Sequence, residues 1–261
     1  MLKLGIIGGG NMGTAIISRT FKKYKITVCE RDPMRAALLK KKYRTGSSDL
    51  AGVAGSSNVI ILAVKPQDME SVLAELKGSL KPKTLVISIA AGLTTRFFEK
   101  HLGRKVRVIR AMPNMPAQIG AGMTAICKGK SATGSDLAAA VKIFSKIGEH
   151  IIVEERMMDA VTAVSGSGPA YLFLFAECFY KAALKTGLEP NVAKKLVECT
   201  MAGSMYLFAK SEESAESLRL KVTSKGGTTQ AALDVFLDNN FEKMFVDAVR
   251  AAQLRAKQLA K

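Results

Sequence analysis

Apolar positions along this chain change their spacing once, near residue 154. Before that point they come as short, β-branched runs, which predict strands over residues 2–7, 25–29, 58–64, 84–89, 106–109, 122–127 and 150–153. The runs at 58–64 and 84–89 hardly alternate, the pattern of parallel strands buried on both faces. A helix is predicted over 135–147, and Lys40-Lys41-Lys42 fits a solvated helix end. Strands alternating with helices imply an α/β fold built on a doubly wound sheet.

From residue 155 the strand-like runs stop and helical periods take over. A helix over 155–164 should be broken or kinked by Ser165-Gly166-Ser167-Gly168-Pro169 before a second helix over 170–186. A long helix over 190–210, a short one over 215–220 and a terminal one over 241–259 follow. The boundary falls at 154/155 with no flexible linker, giving an α/β domain over 1–154 and an all-helical domain over 155–261. The helix over 170–186 carries Leu172, Phe173, Leu174, Phe175 and Phe179 and is apolar nearly all round. One neighbouring domain hardly covers such a surface, so a partner subunit should bury it.

Between the last two helices, Val222-Thr223-Ser224-Lys225-Gly226-Gly227-Thr228-Thr229 predicts a polar loop entering a helix near Gln230. Gly226 and Gly227 permit close approach, Thr228 and Thr229 can cap the helix, and outward N–H groups at a helix start suit a carboxylate or phosphate. The alternative is a well-capped helix with no ligand. Ser165 and Ser167 carry the same ambiguity, since their hydroxyls can reach a ligand or satisfy the backbone at the break.

Length favours two domains, each with a core. The first strand meets glycines at once, without the long apolar run of a secretory signal, and the most apolar helix contains Glu177 and Lys181. A cytoplasmic protein with no membrane span is expected. Cys29, Cys127, Cys178 and Cys199 are far apart and only two histidines accompany them, which disfavours a metal site or a disulfide framework. The net charge of +17 is uneven: residues 1–154 hold 25 Lys+Arg against 10 Asp+Glu, residues 155–261 hold 14 against 12. A basic surface can steer any polyanion, but no nucleic-acid motif accompanies it, and no nucleic-acid partner is expected.

The polyanion the chain is built for is better indicated by Gly8-Gly9-Gly10-Asn11-Met12-Gly13, a G-x-G-x-x-G between a predicted strand and helix. Gly8 permits the tight turn, Gly10 lets the backbone approach a pyrophosphate, and Gly13 lets helix and strand pack closely, as in a Rossmann-type sheet. The second strand ends at Glu30-Arg31-Asp32, where the ribose is read. Glu30 or Asp32 would accept from a free 2′-hydroxyl, whereas Arg31 could pair with a 2′-phosphate, and NADP(H) is favoured over NAD(H). Ala63-Val64-Lys65-Pro66 should lie at the carboxyl edge of the sheet, Ala90-Ala91-Gly92 leaves space beside the next strand, and Met112-Pro113-Asn114-Met115-Pro116 predicts a rigid loop. The Asn114 amide can donate and accept at once, though Asn114 also suits a turn.

Several of these motifs together resemble one family along nearly the whole chain, pyrroline-5-carboxylate reductase. They are the glycine run, Ala63-Val64-Lys65-Pro66, Arg110-Ala111-Met112-Pro113-Asn114-x-Pro116, Asp159-Ala160-Val161-Thr162-x-x-Ser165-Gly166-Ser167-Gly168-Pro169-Ala170-Tyr171 and Val222-Thr223-Ser224-x-Gly226-Gly227-x-Thr229. The resemblance implies a Rossmann domain followed by an all-α dimerisation domain, an intertwined homodimer and further assembly towards a decamer. It implies a dinucleotide whose phosphates are held by Gly8, Gly9, Gly10, Asn11, Met12 and Gly13, with Ala63, Val64, Lys65, Pro66, Ala90 and Ala91 towards the nicotinamide; Ile7, Arg31 and Asn114 are further cofactor candidates, and the Glu30-Arg31-Asp32 triplet departs from the family. Glu155, Ser165, Ser167, Val222, Ser224, Gly227, Thr228 and Thr229 match substrate-side positions, with Thr229 the candidate catalytic group beside the ring nitrogen of 1-pyrroline-5-carboxylate. Lys225 departs from the family's usual proline and either loosens the loop or strengthens carboxylate attraction. Two rivals are a β-hydroxyacid dehydrogenase, whose catalytic lysine finds serines here, and a nucleotide-binding protein without turnover.

Overall fold

The computed structural model describes residues 1–259. Its sheet is built from β1 (Lys3–Ile7), β2 (Lys25–Cys29), β3 (Gly46–Ser47), β4 (Val59–Leu62), β5 (Leu85–Ser88), β6 (Arg107–Pro113), β7 (Gly122–Lys128) and β8 (Gly148–Ile152). Helices α1 (Asn11–Thr20), α2 (Pro33–Tyr43), α3 (Leu50–Ser56), α4 (Met69–Lys77), α5 (Thr95–Leu102) and α6 (Gly134–Phe144) alternate with them. The strand order is β3-β2-β1-β4-β5-β6-β7-β8, with the first six strands parallel.

The apolar runs without alternation are explained by the two faces of this sheet. Leu4, Ile6, Ile61, Ile87 and Ile109 point to one side, against Ile16 and Ile17 of α1 and Ile143 and Phe144 of α6. Ile7, Ile60, Leu62, Val86 and Val108 point to the other, against Val53 of α3, Leu73 of α4 and Phe98 of α5. The apolar residues of these central strands therefore have a layer to meet on either face. Parallelism is broken once: β8 lies parallel to β7, but β7 pairs antiparallel with β6. The connection, a 3-10 turn over Met115–Ile119, is shorter than the dozen or so residues that a parallel crossover needs. The expected rigid loop at Met112–Pro116 is thus partly strand, because β6 runs on through Pro113.

Beyond the sheet, the single helix expected over 155–164 is three pieces: a 3-10 turn at Glu155–Met157, α7 (Met158–Val161) and a π-helical turn at Thr162–Gly166. The expected break is instead a widening. Ser167 N–H donates to Thr162 O at 2.8 Å, one residue further back than in an α-helix. Pro169 then sits in the first turn of α8 (Gly168–Lys185), where its missing N–H costs nothing. The chain continues through α9 (Pro190–Lys210), α10 (Ala215–Lys221), α11 (Thr228–Asp238) and α12 (Phe241–Leu259).

The chain divides into two compact units, one of Met1–Pro169 with the stretch from Ala251, the other Ala170–Arg250. The second has a small core of its own, Ala183, Ala193 and Val197 with Tyr180, Leu184 and Leu188. Phe173 (58%), Leu174 (60%), Leu207 (58%) and Leu237 (60%) stay exposed in the single chain. Among the described residues no helix is long and apolar enough to cross a membrane.

Phe98 is fully buried beneath the sheet. Phe98→Ala is expected to cost about 3–5 kcal/mol, read as a lowered thermal unfolding midpoint by circular dichroism.

Candidate functional site

The register of β1, β4 and β5 sets Ile7 beside Leu62 and Leu62 beside Ser88. The segments that follow each strand, Gly8, Ala63 and Ile89–Ala90, therefore emerge at one carboxyl edge, where open α/β sheets bind ligands. Gly8 turns with φ +98°, donates its N–H to Cys29 O at 2.9 Å, and lies so close to β4 that a Cβ would stand 2.6 Å from Ala63 O. A Cβ on Gly13 would overlap Gly8 O. At Gly10 a Cβ would meet nothing within 4 Å. The backbone is thus pinned on the sheet side and bare on the other, a cradle that fits a dinucleotide pyrophosphate.

Helix starts divide into those closed by a side-chain cap and those without one, which include α4, α7 and α9 as well as α1 and α11. Asp32, Asp49, Thr94, Thr133 and Ser214 cap α2, α3, α5, α6 and α10 with their side chains. Helices α1 and α11 begin instead at glycine N-caps, Gly10 and Gly227, with no side-chain cap. Their first N–H groups are left to a ligand or water, and the positive end of the helix dipole adds to the attraction for an anion.

The start of α11 corrects one expectation. The helix begins at Thr228 rather than near Gln230, so Thr228 and Thr229 sit inside the first turn and do not cap it. The reason is local: Gly226, at φ +71°, lets the chain fold back so that Gly227 N–H donates to Ser224 O at 3.0 Å, and Gly227 takes the extended N-cap conformation. Val222, Ser224 and Thr228 are exposed and Thr229 is half-buried.

Around the sheet edge a cavity of about 710 Å³ gathers Ile7, Gly8, Gly10, Arg31, Ala63, Val64 and Lys65. Pro66 opens a 3-10 turn just behind it. Asn11, Met12 and Gly13 form the first turn of α1, and Ala90 and Ala91 follow β5 at the same edge. Asn114 donates and accepts at once, as expected, but to the protein itself: Nδ2 to Ser165 O at 3.2 Å and to Ser165 Oγ at 3.4 Å, and Oδ1 from Met123 N at 2.8 Å. It thereby fixes the π-helical turn bearing Ser165 and Ser167 to the end of β6.

Glu155 is similarly engaged. Oε1 accepts from Thr95 N at 2.7 Å and Oε2 from Thr95 Oγ1 at 2.6 Å, while Arg110 Nη1 approaches Oε1 at 3.4 Å. The Arg110 side chain is 4% exposed, so Glu155 compensates a buried cation and holds the first turn of α5. Beside them Cys127 is pushed up to about 12 by burial and by the Glu155 carboxylate, and stays a neutral thiol at physiological pH. Among the described residues no group of His, Cys, Asp and Glu could hold a metal ion.

Two features of the cofactor end escaped the sequence pattern. Glu30 Oε2 accepts from Gly9 N at 2.5 Å, and Arg35 stands 3.7 Å from both Glu30 and Asp32. The Asp32-Pro33 pair, an N-cap followed by proline at N1, was the available signal: it starts α2 there and puts Arg35 one turn on, facing back to the glycine loop.

Residues 155–259 match the family profile described as pyrroline-5-carboxylate reductase dimerisation, and residues 3–92 match that of the coenzyme F420-dependent NADP oxidoreductases. The pyrroline-5-carboxylate reductase of Synechocystis is 42% identical, over 100% of this chain and 99% of its own. The solved structure of a pyrroline-5-carboxylate reductase from Coxiella burnetii superposes with a TM-score of 0.92 at 37% identity, covering 100% of this chain and 99% of the other. That of Plasmodium falciparum pyrroline carboxylate reductase with NADP bound gives 0.90 at 31%, covering 100% and 98%.

Two substitutions test these placements. Gly13→Ala is expected to weaken NADPH binding at least about tenfold in a fluorescence titration. Glu155→Ala, which strands Arg110, should cost about 2 kcal/mol of stability, measured by denaturant unfolding.

Proposed function

The chain belongs to the pyrroline-5-carboxylate reductase family, and from that premise we propose how its residues share the work of the reaction. The enzyme is an NAD(P)H-dependent oxidoreductase that reduces the C=N bond of 1-pyrroline-5-carboxylate to give L-proline, the last step of proline biosynthesis. The bound reduced nicotinamide supplies the hydride to the imine carbon.

Positioning carries the catalysis. We assign the dinucleotide pyrophosphate to Gly8–Gly13 and the uncapped start of α1, and the nicotinamide end to Ala63–Pro66, Ala90 and Ala91. The substrate carboxylate goes to the Ser224–Thr229 segment, where the first N–H groups of α11 and the Ser224 and Thr228 hydroxyls are available and the side chain of Lys225 adds positive charge. The uncapped start of α11, in a helix preceded by two glycines, is the observation that supports this assignment. Holding the acid there fixes the ring, and the reacting carbons must come within about 3–3.5 Å. Hydride addition discharges the protonated imine, so an acceptor at the ring nitrogen is enough and no strong acid is required. Thr229 Oγ1, one residue inside the same turn, is that acceptor. Ser165 and Ser167 complete the substrate side, with Ser165 positioned by Asn114 and Glu155 acting through the Thr95 and Arg110 network.

The chain carries the family's dimerisation domain. We extend this to an intertwined homodimer whose interface covers the exposed apolar side chains of α8 and α9, assembling further to a decamer, in the cytoplasm. We keep the functional boundary at 154/155, a reading supported by the dimerisation profile over residues 155–259. The cofactor is NAD(P)H, and NADPH is the preferred form through Arg31.

Thr229→Val should lower kcat/KM for 1-pyrroline-5-carboxylate about tenfold, the worth of one hydrogen bond of about 1.4 kcal/mol. The assay follows nucleotide absorbance at saturating NADPH; wild-type turnover and substrate affinity in the variant would remove Thr229 from the mechanism.

A further inference from the structure

We infer that Glu30 and Arg35 form a charge couple that governs which dinucleotide the cleft takes, Glu30 opposing a phosphate on the adenosine 2′ position and Arg35 drawing it in. The inference rests on the cofactor site assigned above and deepens it.

Glu30 ends the second strand, at the position that meets the ribose in a Rossmann-type sheet. Its side chain is 8% exposed and cannot swing away. Oε2 accepts from Gly9 N at 2.5 Å and Oε1 from Asp32 N at 2.9 Å, so the carboxylate is fastened to the glycine loop by backbone donors on both oxygens. Each oxygen keeps a lone pair for a ribose hydroxyl. A 2′-phosphate, carrying about −1.5 to −2 charges, would meet a fixed negative charge at the same place.

Arg35 is the counterweight. Its stem runs over Gly9, with Cδ 3.6 Å from where a Cβ on that glycine would stand. Nη1 lies 3.7 Å from Glu30 Oε1 and Nη2 lies 3.7 Å from Asp32 Oδ2, and the side chain is 47% exposed. These separations exceed the roughly 2.7–2.9 Å of a charge-assisted hydrogen bond, so the guanidinium keeps its donors available for a phosphate. Arg31 adds a second, looser cation, 73% exposed and 3.8 Å from Asp68. Glu30, Arg31, Arg35 and Asp68 border one cavity with Asp49, Lys65 and Glu75. Asp49 is spent on the first turn of α3, accepting from Gly52 N at 2.8 Å.

A carboxylate and a guanidinium this close nearly cancel at the 2′ position. The wild-type preference for NADPH should therefore be modest, within about an order of magnitude, and neutralising either partner should tip it. Glu30→Gln keeps an acceptor for Gly9 N–H and removes the charge; Arg35→Gln keeps a stem over Gly9 and removes the cation.

The test measures kcat/KM with NADPH and with NADH for both variants. It adds calorimetric binding of adenosine 2′,5′-bisphosphate and of 5′-AMP, fragments that need no imine. Glu30→Gln should raise the NADPH:NADH ratio and the bisphosphate:AMP affinity ratio about five- to tenfold, and Arg35→Gln should lower both by as much. A merely structural role would move both members of each ratio together. Fragment ratios that stay within twofold of wild type in both variants overturn the couple, whatever the reductase does. Shifted fragment ratios in a protein that reduces no pyrroline-5-carboxylate would sustain the couple and remove the substrate reading instead.

Discussion

The close approach of two backbones at the carboxyl edge of the sheet is the constraint on which the proposed cofactor site depends. Gly8 lies against Ala63 O and Gly13 against Gly8 O with no room for a side chain. That contact brings the start of α1 down onto the strand ends and leaves Gly10 facing open space. The buried sheet keeps the edge in place, since β1, β4 and β5 are held in register and covered on both faces. Rigidity of this kind favours binding, because the amides proposed to meet the diphosphate are oriented before it arrives.

The same device appears twice, in α1 and in α11. Each follows glycines, takes a glycine N-cap and leaves its first N–H groups without a side-chain acceptor. Five other helices of the chain fill that role with Asp, Thr or Ser. A side-chain cap satisfies the helix start from within, whereas a glycine cap leaves it to solvent or an anion; α4 and α9 also lack a side-chain cap, so what α1 and α11 share is the glycine. The reaction needs one anion site for a diphosphate and one for a small carboxylic acid.

Polar groups placed away from these starts do structural work that resembles function from a distance. Glu155 stands in a substrate-side motif, yet both its oxygens engage Thr95 and it offsets the buried Arg110. Asn114 links β6, β7 and the π-helical turn through one amide. Both residues hold elements that carry other candidate site residues, and the low exposure of Arg110 makes the first of these links costly to remove.

Much of this was legible in the sequence because it depends on local rules. Alternation of strand and helix, the G-x-G-x-x-G between them and the shift to helical periods after residue 154 specify a Rossmann-type sheet followed by helices. The family motifs add the reaction. Tertiary structure decided what depends on residues distant in sequence. The antiparallel turn at β7 follows from a short connection whose ends only the sheet brings together. The start of α11 at Thr228 is the exception, a local turn in which the Ser224 carbonyl reaches Gly227, which propensity alone does not reveal. The partners of Glu30, Asn114 and Glu155 lie 21, 51 and 60 residues away. A linear pattern records which groups can donate or accept, but only the folded chain decides which of them meet, because desolvation in the interior obliges each buried polar atom to take whichever partner the packing supplies.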